Sequence, residues 1–260
     1  MSATQFNTYA KFYNLFYKDK DYPKEAGYIH ALVQKYAKKN IKDLHLLDLA
    51  CGTGRHLLEL SKMGYQHLAG SDIAAPMIEV AKKNTADSGS EIKLYNYSFQ
   101  QADQVPGKFD VVTSMFSAVN YIVTFEDQLK TFRNIHALLE KDGIFIFDYW
   151  NGNAVTRDYS PVKILRKQDE DSEIVRISET SLDLLEQHVT VNYTCIYLEN
   201  QQKTIEFKEV HHLHYYYFSE MKNLLEIAGF DIIHLSPFPE ADRAVAPFDW
   251  NISIVAQKRN

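Results

Sequence analysis

The sequence predicts a mostly parallel α/β sheet with helices on both faces and an antiparallel β insertion late in the chain. Three observations carry this expectation. Short apolar runs alternate with stretches of helical spacing between residues 44 and 149. A glycine turn, Gly52-Thr53-Gly54, joins the first run to the helix after it. Between about Pro161 and Tyr217 the pattern changes to the two-residue alternation of antiparallel strands.

Taken in order, Ala26, Ile29, Leu32, Val33 and Tyr36 form a helical stripe within residues 24–38, after Asp21-Tyr22-Pro23. Residues 44–49 read as a buried strand with one embedded carboxylate, Asp48. Leu57, Leu58, Leu60 and Met63 then recur at helical spacing, which puts the glycines at a strand-to-helix turn. Residues 66–72, 92–95 and 109–116 are the next strands, and 76–83 and 126–139 are helices, the latter with Leu129, Phe132, Ile135, Leu138 and Leu139 on one face. A fifth strand, 143–149, follows an Asp142-Gly143 stop. In the insertion, 189–197 and 204–217 are strands joined by a hairpin turn at Glu199-Asn200-Gln201-Gln202, and the charge run 167–173 reads as a solvated loop. Ser219 is expected to cap a last helix that Gly229 ends, before final strands at 230–235 and 251–257.

The composition is that of an ordinary globular chain of 260 residues, 45% hydrophobic and 24% charged. A net charge of -6 gives no general attraction to nucleic acid or to an anionic membrane, so a small-molecule substrate is expected. With two cysteines, Cys51 and Cys195, no charged-then-apolar leader and no apolar run near the ~20 residues of a membrane span, a cytoplasmic protein without structural disulfides is expected.

The glycine turn narrows the ligand. A close-approach turn at a helix N-terminus offers unpaired amides. A phosphate-binding Walker loop needs Gly-Lys-Ser/Thr, whereas Arg55-His56 follow Gly54. A dinucleotide turn needs a third glycine where Leu57 stands. Asp48 inside the first strand and Asp72 at the end of the second suit a nucleoside whose ribose hydroxyls a carboxylate can accept.

Asp48-Leu49-Ala50-Cys51-Gly52-Thr53-Gly54 resembles motif I of the class I S-adenosylmethionine-dependent methyltransferases. The resemblance implies their Rossmann-like sheet of seven strands, the last antiparallel, with S-adenosyl-L-methionine as cofactor. It also implies that Ala50, Gly52 and Gly54 approach the methionine part, that Asp72 holds the ribose, that Ile73 and Met77 flank the adenine, and that Asp48, Cys51, Thr53 and Met115 belong to the same cofactor site. Ser98-Phe99 falls near the adenine amino group, with Ser98 where an acid is usual.

A narrower resemblance rests on Tyr13-Asn14-Leu15-Phe16-Tyr17, Lys20-Asp21-Tyr22, the run from Met115 to Ile122, and Asp148-Tyr149-Trp150. These resemble the dTDP-amino-sugar N,N-dimethyltransferases, with Tyr121 where that group typically has a histidine beside the reacting amine. It implies a helical lid at 1–40, a core at 41–156 and 218–260, an insertion at 157–217 that shapes the substrate pocket, and a homodimer. Tyr121, Tyr13 and Tyr17 are then the candidate catalytic residues, and Tyr22, Asn120, Asp148 and Trp150 the candidate substrate contacts. Methyl transfer from a sulfonium mainly requires alignment, and an amine needs only to be neutral, whereas a hydroxyl acceptor needs a base or a metal. Alternatives are O-methylation of a sugar or phosphoramidate surface-polysaccharide precursor, and a cofactor-binding protein without turnover. His211, His212 and His214 read as ordinary polar surface on a strand of the insertion, and no metal is expected.

Overall fold

The computed structural model describes residue 6 and residues 8–86, 91–169 and 171–259. In chain order its elements are α1 (Tyr9–Phe16), α2 (Tyr22–Tyr36), β1 (His45–Leu49), α3 (Arg55–Lys62), β2 (His67–Ser71), α4 (Ala75–Thr85) and β3 (Glu91–Tyr95). There follow β4 (Phe109–Ser114), α5 (Phe125–Leu138), β5 (Leu139–Trp150), α6 (Gly152–Asp158), β6 (Val162–Gln168), β7 (Ser172–Asp183), β8 (His188–Glu199), β9 (Gln202–His214), α7 (Phe218–Ile227), β10 (Phe230–Pro237) and β11 (Asn251–Lys258).

The main sheet has the order β10-β11-β5-β4-β1-β2-β3. Neighbours among β1 to β5 run parallel, and β11 runs antiparallel to both β5 and β10. Apolar side chains cover both faces. On one, Phe132 and Ile135 of α5 and Met221 and Leu224 of α7 join Phe145, Phe147 and Ile254. On the other, Ile29 and Leu32 of α2 and Leu57 and Leu60 of α3 join Leu46, Val111 and Ile146. Local signals set the helix starts: the Asp21 carboxylate accepts the Lys24 amide at 3.0 Å ahead of α2, and Thr124 accepts the Asp127 amide at 3.2 Å ahead of α5. Because β1 leads through α3 to β2 on one side while β4 lies on the other, the chain reverses direction across the sheet between β1 and β4. In open α/β sheets a ligand crevice forms outside the strand C-termini at that point.

The insertion is a separate antiparallel sheet, β6-β7-β8-β9. Helix α1 lies against it, with Tyr9, Phe12 and Phe16 in one cluster with Ile174, Cys195 and Met77. Among the described residues, no helix is long and apolar enough to cross a membrane.

Several expectations change. The charge run 167–173 is largely strand: it ends β6 and begins β7, held by ion pairs Arg166–Glu173 at 2.8 Å and Lys167–Asp19 at 2.6 Å. Ser219 does not cap α7. The helix begins two residues earlier, at Phe218 after Tyr217, and its first-turn Glu220 bonds back to His214 at 2.9 Å. β5 starts at Leu139, directly from α5, and passes through the left-handed Asp142 where a stop was expected. Within residues 1–40, α1 faces the insertion while α2 packs on the core; residues 1–5 and 7 lie outside those described.

Candidate active site

The bend after β1 is built from backbone that an ordinary side chain resists. Ala50, Gly52 and Gly54 have φ of 58°, 54° and 72°. At Gly54 a Cβ would also come within 3.2 Å of Ala81 and 3.3 Å of Thr85, so the missing side chain lets α3 and α4 close together. Asp72, just past β2, locks this bend, accepting the Gly52 amide at 2.9 Å and the Ala74 amide at 2.8 Å. Burial raises its pKa and the two amides oppose the rise.

Asp48 stands beside Thr113 in the β1–β4 register, and the Thr113 hydroxyl donates to its Oδ1 at 2.8 Å. Its Oδ2 is buried without a hydrogen-bond partner among the described residues. Burial pushes its pKa up to about 6. A buried carboxylate oxygen without a donor is stabilised by a positive charge, and the sulfonium of S-adenosylmethionine is such a charge. The glycine turn and these two carboxylates therefore fit that group.

A cavity of about 230 Å³ lies over the bend. It brings together Asp48, Ala50, Cys51, Gly52, Thr53, Asp72, Ile73, Met77 and Met115 with Tyr13, Tyr17, Tyr22, Tyr121 and Trp150. Gly54, Ser98, Phe99, Asn120 and Asp148 are not on its lining. Ser98 starts a short 3-10 turn and shares a capping box with Gln101, and Phe99 packs into the main core. Asn120 spends both ends of its amide on backbone, donating to the His214 carbonyl at 2.6 Å and accepting the Trp150 amide at 3.2 Å. Asp148, 0% exposed, accepts the Ser117 amide at 2.9 Å, the Ser117 hydroxyl at 2.8 Å and the Asn251 side-chain amide at 2.6 Å. It thereby holds Phe116 and Ser117 at positive φ of 64° and 55°, a strained bend at the cavity edge.

The far wall is aromatic and comes from distant segments. Tyr9, Tyr13 and Tyr17 lie four apart along the N-terminal segment, and Arg176 of β7 donates to the hydroxyls of Tyr9 and Tyr17. Tyr121 is hydrogen-bonded through its hydroxyl to His211 Nδ1 at 2.8 Å. Burial pushes the Tyr121 phenol well above its usual range. His211 is 1% exposed, which overturns its reading as strand surface, and His214 is also buried, while His212 is exposed. Among the described residues no three metal-binding side chains converge. Lys20 reaches the cavity with its ammonium 3.4 Å from the Phe116 ring centre and 3.1 Å from Glu25, which also takes His56 Nε2 at 2.7 Å.

Of the lining residues that the sequence did not single out, Tyr9 carried a signal, since it extends the Tyr13 and Tyr17 spacing by one more step of four. Tyr193 and Asn251 join the cavity through tertiary packing alone, and so do Lys20 and His211, which the sequence analysis names without giving them a place at the site.

Residues 46–143 match the family model described as a methyltransferase domain. The chain is 32% identical over 148 residues to the dTDP-3-amino-3,4,6-trideoxy-alpha-D-glucopyranose N,N-dimethyltransferase of Streptomyces venezuelae, covering 55% of this chain and 57% of that one. It is 27% identical over 143 residues to the dTDP-3-amino-3,6-dideoxy-alpha-D-glucopyranose N,N-dimethyltransferase of Streptomyces fradiae, covering 54% and 52%. The chain therefore spans about half the length of these two relatives. Its fold is that of an S-adenosylmethionine-dependent methyltransferase crystal structure from Clostridium acetobutylicum ATCC 824, with a TM-score of 0.81 at 20% identity over 98% of this chain and 99% of that one. Motif, sheet order, carboxylates and matches agree: residues 46–143 form a methyltransferase domain, the fold is that of the class I enzymes, and the chain is an S-adenosylmethionine-dependent methyltransferase with S-adenosyl-L-methionine as its cofactor.

Proposed function

We propose that this methyltransferase acts on the amino group of a nucleotide-linked amino sugar. The observation that carries the reading is the similarity to two enzymes named for N,N-dimethylation of dTDP-amino sugars. A cavity whose far wall is aromatic supports it, because a desolvated amine is neutral and nucleophilic more readily than one in water.

In this reading Ala50, Cys51, Gly52, Thr53 and Met115 border the methionine end of the cofactor, Asp72 accepts the ribose hydroxyls, and Ile73 and Met77 flank the adenine. Asp48 offsets the sulfonium charge. When bound, S-adenosylmethionine supplies an electrophilic methyl group. The chain's own part is to exclude water and align the acceptor, with Tyr121, Tyr13 and Tyr17 around the reacting atom and Tyr22 and Trp150 along the sugar. Asn120 and Asp148 act behind the lining, by holding the 116–121 bend. The protein works as a cytoplasmic homodimer.

A second reading, methyl transfer to a hydroxyl, is favoured by one observation: the Tyr121–His211 hydrogen bond is a base array of the kind a hydroxyl acceptor requires. Mass spectrometry of nucleotide-linked amino sugars and their hydroxy analogues, incubated with the protein and S-adenosylmethionine, tests both. An amino sugar heavier by one or two methylene units supports the first reading. Modification of the hydroxy analogues alone refutes it.

A further inference from the structure

The polar groups behind Tyr121 form an array that methyl transfer by itself does not require. Tyr121 Oη is 2.8 Å from His211 Nδ1. With Nδ1 accepting that hydroxyl, the neutral imidazole carries its proton on Nε2, and Nε2 lies 3.5 Å from Glu209 Oε2. Among the described residues neither His211 Nε2 nor Glu209 Oε2 has a hydrogen-bond partner, and each is the other's charged neighbour. Their side chains are 1% and 8% exposed, so neither is solvated like a surface group.

The three residues meet because of strand register. Glu209 and His211 are two apart on β9, on the face that also presents Leu213, and they pair across to Tyr193 and Val191 of β8. Tyr121 comes from the short turn after β4, at the C-terminal edge of the parallel sheet. Both Tyr121 and His211 line the cavity. Among the described residues the other titratable or charged groups around the imidazole are Tyr9 of α1, with ring centres 6.4 Å apart, and Tyr193 of β8, at 4.6 Å. Behind them, Arg176 of β7 lies 4.6 Å from the Tyr193 ring centre and donates to the Tyr9 hydroxyl.

We infer that Tyr121, His211 and Glu209 form a proton relay that takes the acceptor's proton during methyl transfer. This deepens the proposed methyltransferase function and rests on it. The acceptor's lone pair forms the bond to the methyl carbon as the carbon–sulfur bond breaks, and that electron pair stays on sulfur. The acceptor's N–H or O–H proton passes to Tyr121 Oη while the Tyr121 proton passes to His211 Nδ1. Glu209 stabilises the resulting imidazolium, which then releases the proton to solvent. No oxidant or further reactant is needed. Histidine chemistry thus reaches the acceptor from the insertion sheet, through a tyrosine at position 121. His211 and Glu209 are positioning and relay residues, and Tyr121 is the group that faces the acceptor.

Two readouts on the full chain test the relay. The first needs no acceptor: nitrogen-detected NMR of the histidine rings in the S-adenosylhomocysteine complex. The relay predicts His211 protonated on Nε2 and hydrogen-bonded at Nδ1, with the Nδ1 signal shifted in Tyr121→Phe. A ring protonated on Nδ1 overturns it, whichever acceptor is used. The second is the pH–rate profile of methyl transfer to dTDP-3-amino-3,6-dideoxyglucose. His211→Gln is expected to lower kcat about a hundredfold and to abolish the low-pH limb, with the KM for S-adenosylmethionine unchanged. Glu209→Gln is expected to move that limb to lower pH, because the imidazolium loses its carboxylate. Wild-type kcat and profile in both variants overturn the relay while leaving the amino-sugar reading standing. If this sugar is not methylated while the NMR result holds, the amino-sugar reading falls and the relay stands.

Discussion

The two walls of the cavity are built in opposite ways. The wall below is largely main chain: a run of seven residues, Asp48 to Gly54, bent at three positive φ angles and locked by one carboxylate, Asp72. The wall above is side chain, assembled from α1, the 116–121 turn and the insertion strands β8 and β9, which lie far apart in sequence. The first needs only local geometry, a strand, two glycines and an acid about 20 residues on. The second exists only when long-range register and packing are right. A donor shared by many enzymes can be held by the first kind of wall, whereas an acceptor particular to one enzyme calls for the second.

If that division is real, substitutions sort by wall. The largest expected effect lies at the joint between them. Asp148→Ala leaves the Ser117 amide and the Ser117 hydroxyl buried without their acceptor, at a cost of about 4 kcal/mol in urea unfolding. A cost below about 1 kcal/mol would mean that the Phe116–Ser117 bend holds itself.

Next comes Asp48, which belongs to the lower wall. Its folded-state pKa of about 6 lies above the ordinary 3.8, so the folded chain holds the proton more tightly than the unfolded chain. The stability from that proton is complete below 3.8 and is lost as pH rises towards 6. Asp48→Asn therefore raises stability at pH 7 by up to about 3 kcal/mol, at ~1.36 kcal/mol per pKa unit, and has little effect at pH 3.5. Affinity for the sulfonium cofactor should rise with pH over the same window in wild type and stay flat in the variant. Urea unfolding at the two pH values and titration across the window check both statements; a variant less stable at pH 7 would contradict them.

Asp72→Ala removes the acceptor of the Gly52 and Ala74 amides together with the proposed ribose contact. S-adenosylhomocysteine affinity is expected to fall about a hundredfold, or ~2.7 kcal/mol, without global unfolding. The smallest effect belongs to the upper wall: Tyr17→Phe removes one of two phenols bonded to Arg176 and should raise the acceptor KM about threefold, or ~0.6 kcal/mol, with kcat unchanged.

The same division explains what was legible in the sequence. The alternation of strands and helices in the main sheet, the glycine turn and the position of Asp72 follow from hydrophobic periodicity and from residues close in sequence. His211 does not, and the reason is one residue of register. The hairpin turn at Asn200 and Gln201 pairs Glu199 with Gln202 and Leu198 with Lys203, but a bulge then pairs Tyr197 with Ile205. Counted straight from the turn, Val210 would face inward and His211 outward; the extra residue reverses every side chain beyond it. Asn120 and Asp148 were legible as important positions but not as supports, because their partners, the His214 carbonyl and Asn251, come from the far end of the chain. β6 went unread because its side chains are mostly exposed and carry little apolar alternation.

The most direct test of the division is a calorimetric titration of S-adenosylhomocysteine into Tyr121→Phe beside Asp72→Ala. The account predicts that Tyr121→Phe binds within about a factor of two of wild type while Asp72→Ala loses about a hundredfold. Equal losses in the two variants would contradict it, because donor and acceptor would then share one wall.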